Sequence, residues 1–414
     1  MRKIFFVLFF GILSAFLNSS LLFAGEIDIL VDKLVDKGIL SSGEAQVILT
    51  ETKEEIRKDL AKGTLEGLPK WVQNTKLNGD FRLRYQWEDK LGSEERHRSR
   101  YRFRLGLESK VNDTMKVAAG LATGGDDARS TNQTMDDGFS TEDIKLDYAY
   151  AQFVAAPGVT FKAGKIKGIK KLIFRPSDLL WDSDINPEGV SILLSKRENN
   201  TDWFMNTGVW ILDESSSDTS DSFMWVVQPG MKYSFNKSTC LKIAVAGYFF
   251  ENIKGTSLNN GGSKSSGYYN TLERGGLKYD YNSVAPSFEF GIKKPLGGLV
   301  PYLAIFGDYV YNMDPSEKNK GYLGGIKFGA KKVKDWRQWQ AKYMYRHLEK
   351  DAWIDIFPDS DAYSGYTDTK GHEVAFTYGL GKNATLGFDY YYMTRITGDS
   401  NRKHVVQVDW QVKF

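Results

Sequence analysis

Sixteen runs of alternating apolar and polar residues, connections that take turns between short and long, and an apolar leader at the N-terminus predict an all-β protein. The expected architecture is a 16-stranded antiparallel transmembrane β-barrel preceded by a short N-terminal helical segment. Side chains on a strand alternate between two faces, so each run has one face for lipid and one for a lumen. The last run shows this most clearly: Val406, Val408, Trp410, Val412 and Phe414 share one face, and Gln407, Asp409, Gln411 and Lys413 the other. A half-buried strand of a soluble sheet alternates in the same way. The argument for a barrel is therefore repetition along the chain.

The chain opens on Arg2-Lys3, an apolar run from Ile4 to Leu17 and a small-residue exit at Ala24-Gly25. That is the layout of a secretory signal peptide over residues 1–24. Cys240 is the only cysteine, so no intrachain disulfide staples a secreted domain. The formal charge is +3, and Arg2 and Lys3 supply two of those charges. The processed chain is thus close to neutral, which is not the balance of a nucleic-acid-binding protein. No second apolar run reaches the ~18 residues of a membrane helix. Aromatics at 14% and 40 glycines against 10 prolines suit many twisted strands joined by polar connections.

Residues 25–70 read as helix. Ile27, Leu30, Val31, Leu34 and Val35 recur at helical spacing, and Gly38 suits the position just past a helix end. Ser41, with Glu44 three residues later, has the signature of a capping box. Val47, Ile48, Leu49, Ile56 and Leu60 continue a second helix, which Pro69 ends. The expectation is a helical hairpin or short coiled coil at the periplasmic mouth of the barrel. A pore plug and a cell-wall anchor are the alternatives.

The barrel occupies 71–414. Its runs lie near 76–87, 98–110, 114–123, 141–154, 158–166, 188–198, 201–213, 222–235, 239–250, 281–293, 300–312, 320–332, 336–348, 371–381, 384–394 and 402–414. Pro229 interrupts the eighth, where a bulge is expected. Short connections such as Asn199-Asn200 and Lys382-Asn383 alternate with long ones such as 124–140, 167–187, 251–280 and 349–370. That is the arrangement of an outer-membrane barrel, with short periplasmic turns and long external loops. An even strand number puts both ends of the barrel segment at the periplasmic side. Backbone groups left unpaired in lipid are costly, so the sheet must close. Sixteen strands enclose a lumen wide enough for water, and its charged and small inward residues predict that it is wet. Trp87, Trp203, Trp225, Tyr233, Trp339 and Trp410, near strand ends, suit interfacial girdles.

Three stretches carry a family resemblance: LVDKLVDKGILSSGEA in the helical segment, FRPSDLLWDSDINPEG from Phe174 to Gly189, and the terminal VDWQVKF. With them the chain resembles the outer-membrane porins of Gram-negative bacteria, and looks most like the "putative porin" family, similar in layout to phosphate-selective porins. The resemblance covers nearly everything after the leader. It implies passive diffusion of small hydrophilic solutes, commonly through a homotrimer, in outer-membrane lipid and lipopolysaccharide. The ending Val408, Trp410, Val412 and Phe414 is similar to the signal read by the barrel-assembly machinery. In general porins the third external loop narrows the barrel. The matching connection here is 167–187, a constriction loop carrying Lys167, Lys170, Lys171, Arg175, Asp178, Asp182 and Asp184, with Glu188 just after it.

Arg82, Arg84, Arg98, Arg100, Arg102 and Arg104 are the densest basic cluster. All are even-numbered and point inward by the alternation. Strands lie under about 5 Å apart, so these guanidinium groups form a ladder, and so much like charge is tolerated only in water or opposite acids. A basic wall facing an acidic loop makes a transverse field that sorts solutes by charge. The expected function is a mildly anion-preferring channel, with a phosphate- or anion-selective channel or a non-conducting structural protein tethering the envelope as alternatives. No cofactor is implied. His97, His347, His372 and His404 show no metal spacing such as HExxH. Pairing His347 with Asp351 or His404 with Ser400 makes only a weak case for an enzyme.

Overall fold

The computed structural model describes residues 31, 33–62, 70–214, 216, 220–259, 269–398 and 401–414. The leader at 1–24 and Pro69 lie outside them. Residues 1–74 and 75–414 form separate units. In the first, residues 33–36 are helical and α1 spans Ser42–Lys62, followed by the single turn α2, Lys70–Gln73. The start of α1 is capped reciprocally: the Ser41 hydroxyl accepts from the Glu44 N–H at 3.3 Å, and the Glu44 carboxylate accepts from the Ser41 N–H at 2.9 Å. Gly38, at φ 69°, takes the left-handed turn that ends the preceding helix.

The second unit is a closed antiparallel barrel. Its sixteen wall strands are β1 (Thr75–Lys90), β2 (Arg96–Lys110), β3 (Met115–Ala122), β4 (Lys145–Ala156), β5 (Val159–Lys165), β6 (Glu188–Glu198), β7 (Thr201–Asp213) and β8 (Ser222–Ser234). They continue as β9 (Thr239–Glu251), β10 (Ser283–Lys293), β11 (Tyr302–Asn312), β12 (Lys320–Gly329), β13 (Trp339–Leu348), β14 (Thr369–Gly381), β15 (Ala384–Arg395) and β16 (Lys403–Lys413). Each strand pairs with its neighbour in sequence, and β16 closes onto β1 from Asp80↔Lys413 to Lys90↔Lys403. A two-residue strand, Gln133–Thr134, adds to β2 from within a loop.

Closure is completed by Phe414. Its carbonyl accepts from the Gly79 N–H at 2.9 Å, and its own N–H donates to the Gly79 carbonyl at 3.1 Å. Its ring stacks on Phe103 with centroids 6.3 Å apart. A Cβ on Gly79 would come within 2.5 Å of the Phe414 ring, so only glycine leaves that seat open. The outer face carries exposed apolar side chains, among them Leu107, Phe161, Trp203, Val245, Phe376 and Trp410. Such a band is expensive in water and stable in lipid.

Three details depart from the sequence reading. Strands β1 and β2 run on to Lys90 and from Arg96, which leaves a tight 91–95 turn where a longer loop was expected. Conversely, the connections 294–301 and 330–338 are longer than foreseen, so the short/long alternation is looser than it reads. Pro229 makes no bulge. The β8–β9 pairing skips from Val227↔Gly247 to Gly230↔Ala244 without changing register. Proline lacks the N–H for a ladder bond, so the β9 side skips this position while the β7 side keeps it in register as Met205↔Pro229.

Candidate functional site

One arc of the inner wall is charged. Arg84 donates to Asp409 on β16, with Nε–Oδ1 at 2.7 Å, and its Nη1 reaches Asp361 at 3.0 Å. Arg102 lies 2.6 Å from Asp80 and 3.9 Å from Asp184. Arg104 lies 2.8 Å from Asp80 and 3.1 Å from Asp184. Arg98 pairs with Glu88. Arg82 meets Asp409 at 3.5 Å and donates to the Asn132 side chain at 2.5 Å. Among the described residues Arg100 reaches only neutral acceptors, on Gln86, Ser130 and Asn132. The ladder is therefore laced with carboxylates from its own wall, Asp80 and Asp409, as well as from loops.

The connection 166–187 folds into the barrel. Its base is tied by Ile166 N–H to the Pro187 carbonyl at 2.7 Å and Ile169 N–H to the Ile185 carbonyl at 3.0 Å. Gln228 of β8 then grips the backbone of Phe174 from both sides, at 2.6 and 2.8 Å. Farther on, the Ser177 N–H donates to Asp308 of β11 at 3.0 Å. The loop's apolar residues, including Ile169, Leu172, Leu179 and Trp181, are buried.

A second connection, 349–368, enters beside it. Trp353 is fully buried and its indole N–H donates to the Leu180 carbonyl at 2.7 Å. The Trp181 ring lies 5.5 Å from Trp353 and 4.7 Å from Phe357, in contact range for aromatic packing. Arg129, from the 123–144 connection, bridges to the carbonyls of Asp355 and Gly365 at 3.3 Å. The 166–187 and 349–368 loops form one buried cluster with Trp210, Met224, Tyr248, Phe250, Phe306 and Met344 of the wall. This corrects the expectation of a lumen lined by charged and small residues: charge dominates along the β14–β2 arc, whereas much of the opposite arc is covered by an apolar cluster, with Asp308, Lys342 and Arg346 among it. The alternation in β7–β13 shows which residues point inward but not that loops return to cover them. A cavity of about 590 Å³ remains beside the cluster, bordered by Asp127, Lys145, Asp147, Lys165, Trp181 and Phe357.

The loop's ionisable groups divide by role. Lys167 Nζ donates to the Tyr148 hydroxyl at 2.8 Å and sits over its ring. Arg175 staples the loop internally through the Ser177 and Trp181 carbonyls, at 2.7 and 2.6 Å. Asp178 pairs with Arg346 at 2.6 Å. Glu188 belongs to the wall as the first residue of β6 and binds Lys165 at 2.6 Å. Lys170 and Lys171 are exposed, and neither makes an ion pair within 4 Å among the described residues. Burial favours the neutral acid at Asp184, but Arg102, Arg104 and Arg82 outweigh it and hold the carboxyl below its ordinary value. At Asp361 burial is likewise overcome, by Arg84, and ionisation falls to about 2. Asp182 has no such cation paired to it among the described residues: burial and Asp184 push it up to about 7. Asp359, Asp361, Arg346, Arg129 and Trp353 were missed in the sequence. The one signal present was the apolar string Trp353, Ile354, Ile356 and Phe357 inside a connection, which needs something to pack on.

On the outer face, Trp410 meets Phe81 edge-on at 6.2 Å, and Val408 and Phe414 are exposed. The girdle candidates Trp203, Trp225 and Tyr233 are exposed there too.

A closed sixteen-strand barrel with an apolar exterior and inward-folded loops defines the class of outer-membrane channel proteins. The model of the "putative porin" family matches residues 90–288 and 277–414, and the chain belongs to that family. It is a porin of the Gram-negative outer membrane, a channel and not an enzyme. Among solved structures, it is similar to Salmonella typhi OmpF in complex with daunomycin at 14% identity, with a TM-score of 0.48 over 81% of this chain and 97% of that one. A mutant of the Rh. blastica porin matches at 11% identity, with a TM-score of 0.43 over 82% and 100%. No curated protein sequence matches.

Proposed function

We propose that this porin passes small hydrophilic solutes and ions by passive diffusion with a mild preference for anions. The observation that carries the reading is the charged arc beside Lys170, where the arginines face the infolded loop. Asp80, Asp184, Asp361 and Asp409 offset most of the arginine charge, so the excess rests on Arg100, Lys170 and Lys171. That balance favours weak selectivity over a dedicated phosphate channel. Fixed charges act on passing ions only within about a Debye length, ~10 Å at 0.1 M and ~3 Å at 1 M salt. The preference therefore shrinks as salt rises. We further read the short-turn end as periplasmic and the assembly as a homotrimer, following the family resemblance.

Single-channel recording of the purified protein in planar bilayers tests this. Stepwise ionic currents are expected, with a zero-current potential in a KCl gradient that reports anion preference. Replacing Arg100, Arg102 and Arg104 with Gln should move that potential toward cations. An unchanged potential would put these arginines outside the conducting path, and a wild-type preference for cations would make the loop carboxylates dominant. Absence of any current would favour the structural, envelope-tethering reading.

A further inference from the structure

One group of lumen carboxylates is not accounted for by ion pairing. Asp178 of the 166–187 loop, Asp359 of the 349–368 loop and Glu373 of β14 converge, and one oxygen from each lies within 4.8 Å of the others. Glu373 is 2% exposed and Asp359 8%. Glu373 Oε2 and Asp359 Oδ2 accept no hydrogen bond among the described residues. The cations at hand are already engaged. Lys342 Nζ holds the other Glu373 oxygen at 2.7 Å. Arg346 Nη2 holds Asp178 Oδ1 at 2.6 Å and reaches Asp359 Oδ2 only at 3.8 Å. Among the described residues, three carboxylates thus share two cations within ion-pair distance, and two buried oxygens stay without a donor, which is costly in a low-dielectric interior.

A hard cation resolves this. Calcium takes six to eight oxygens at about 2.3–2.6 Å, carboxylates first and waters for the rest. Two oxygens on one such ion are at most about 5 Å apart, which matches this group. Magnesium demands a tighter octahedron, and zinc prefers nitrogen and sulfur donors that the group lacks. The Asp178 side chain remains 24% exposed, which leaves an approach from the lumen for the ion and its waters. We propose that Asp178, Asp359 and Glu373 form a calcium site that pins both infolded loops to the wall. Losing the ion would loosen the two loops together and alter the open area of the pore.

The test uses whole protein refolded in detergent without lipopolysaccharide, which binds divalent ions itself. After chelation it is titrated with calcium chloride, and separately with magnesium chloride. Calorimetry reads stoichiometry, tryptophan emission reports the Trp181–Trp353 cluster, and the midpoint of heat modification reports stability. One calcium per chain should bind saturably, more tightly than magnesium, and raise the midpoint. Glu373→Gln and Asp178→Asn should each weaken binding by about tenfold or more. The partly exposed Asp178 site supplies the answer if the buried variant fails to fold. No saturable binding overturns the proposal, as does binding that both variants leave intact. A midpoint that responds to pH and not to calcium overturns it too, because a proton then fills the role given to the ion.

Discussion

At the scale of single residues, Lys170 is the most telling position in the lumen. It is exposed on the short 3-10 turn Ile169–Lys171 and has Arg175, Asp184, Arg104 and Lys413 around it. Partial loss of water around the amine against the lumen wall comes first, then Arg175, in lowering its ionisation below the ordinary lysine value, with Asp184 opposing. The charged form is the disfavoured one, so Lys170 loses its proton earlier than a free lysine as pH rises. Anion preference should decline through the alkaline range, and Lys170→Met should flatten that decline, both read as zero-current potentials across a pH series. A slope unchanged in the variant would assign the titration to another group. Lys170 was legible as a loop cation. That it makes no ion pair among the described residues while Arg175 turns inward to staple its own loop was not, because both are basic residues in one connection.

At the scale of elements, the second infolded loop decides how the lumen is filled. Trp353 anchors 349–368 to 166–187 through its rings and its indole N–H. Trp353→Ala should cost about 3–5 kcal/mol, the usual range for losing a buried aromatic, and lower the heat-modification midpoint. If the two loops restrict flow as one unit, single-channel conductance should also rise. A lower midpoint with identical conductance would place the restriction elsewhere. The closing strand makes a separate demand. Phe414→Ala removes the ring seated over Gly79 and stacked on Phe103, and Gly79→Ala pushes that ring out. Both variants should yield less folded, heat-modifiable barrel in insertion assays. Efficient insertion of both would leave this seat without a role in closure.

At the scale of the whole molecule, the helices and the barrel form distinct units. A chain lacking 25–70 is expected to form the same barrel with the same conductance per channel. A larger conductance would support the plug alternative. Loss of attachment to cell-wall sacculi with conductance retained would support the anchor.

Strand count, strand order, facing and the charged β1–β2 ladder were all readable along the chain. These follow from short-range rules: alternation along each strand sets which face a side chain takes, and lipid permits only a closed sheet. The inward parity of Arg82, Arg84 and Arg102 was readable for that reason. It took the folded barrel to bring Asp361 to Arg84 from 277 residues away, Trp353 to Trp181, and Asp178, Asp359 and Glu373 to one corner. Loops have no periodicity to record their partners. Where they settle depends on the shape and charge of a lumen that exists only once β16 has closed on β1.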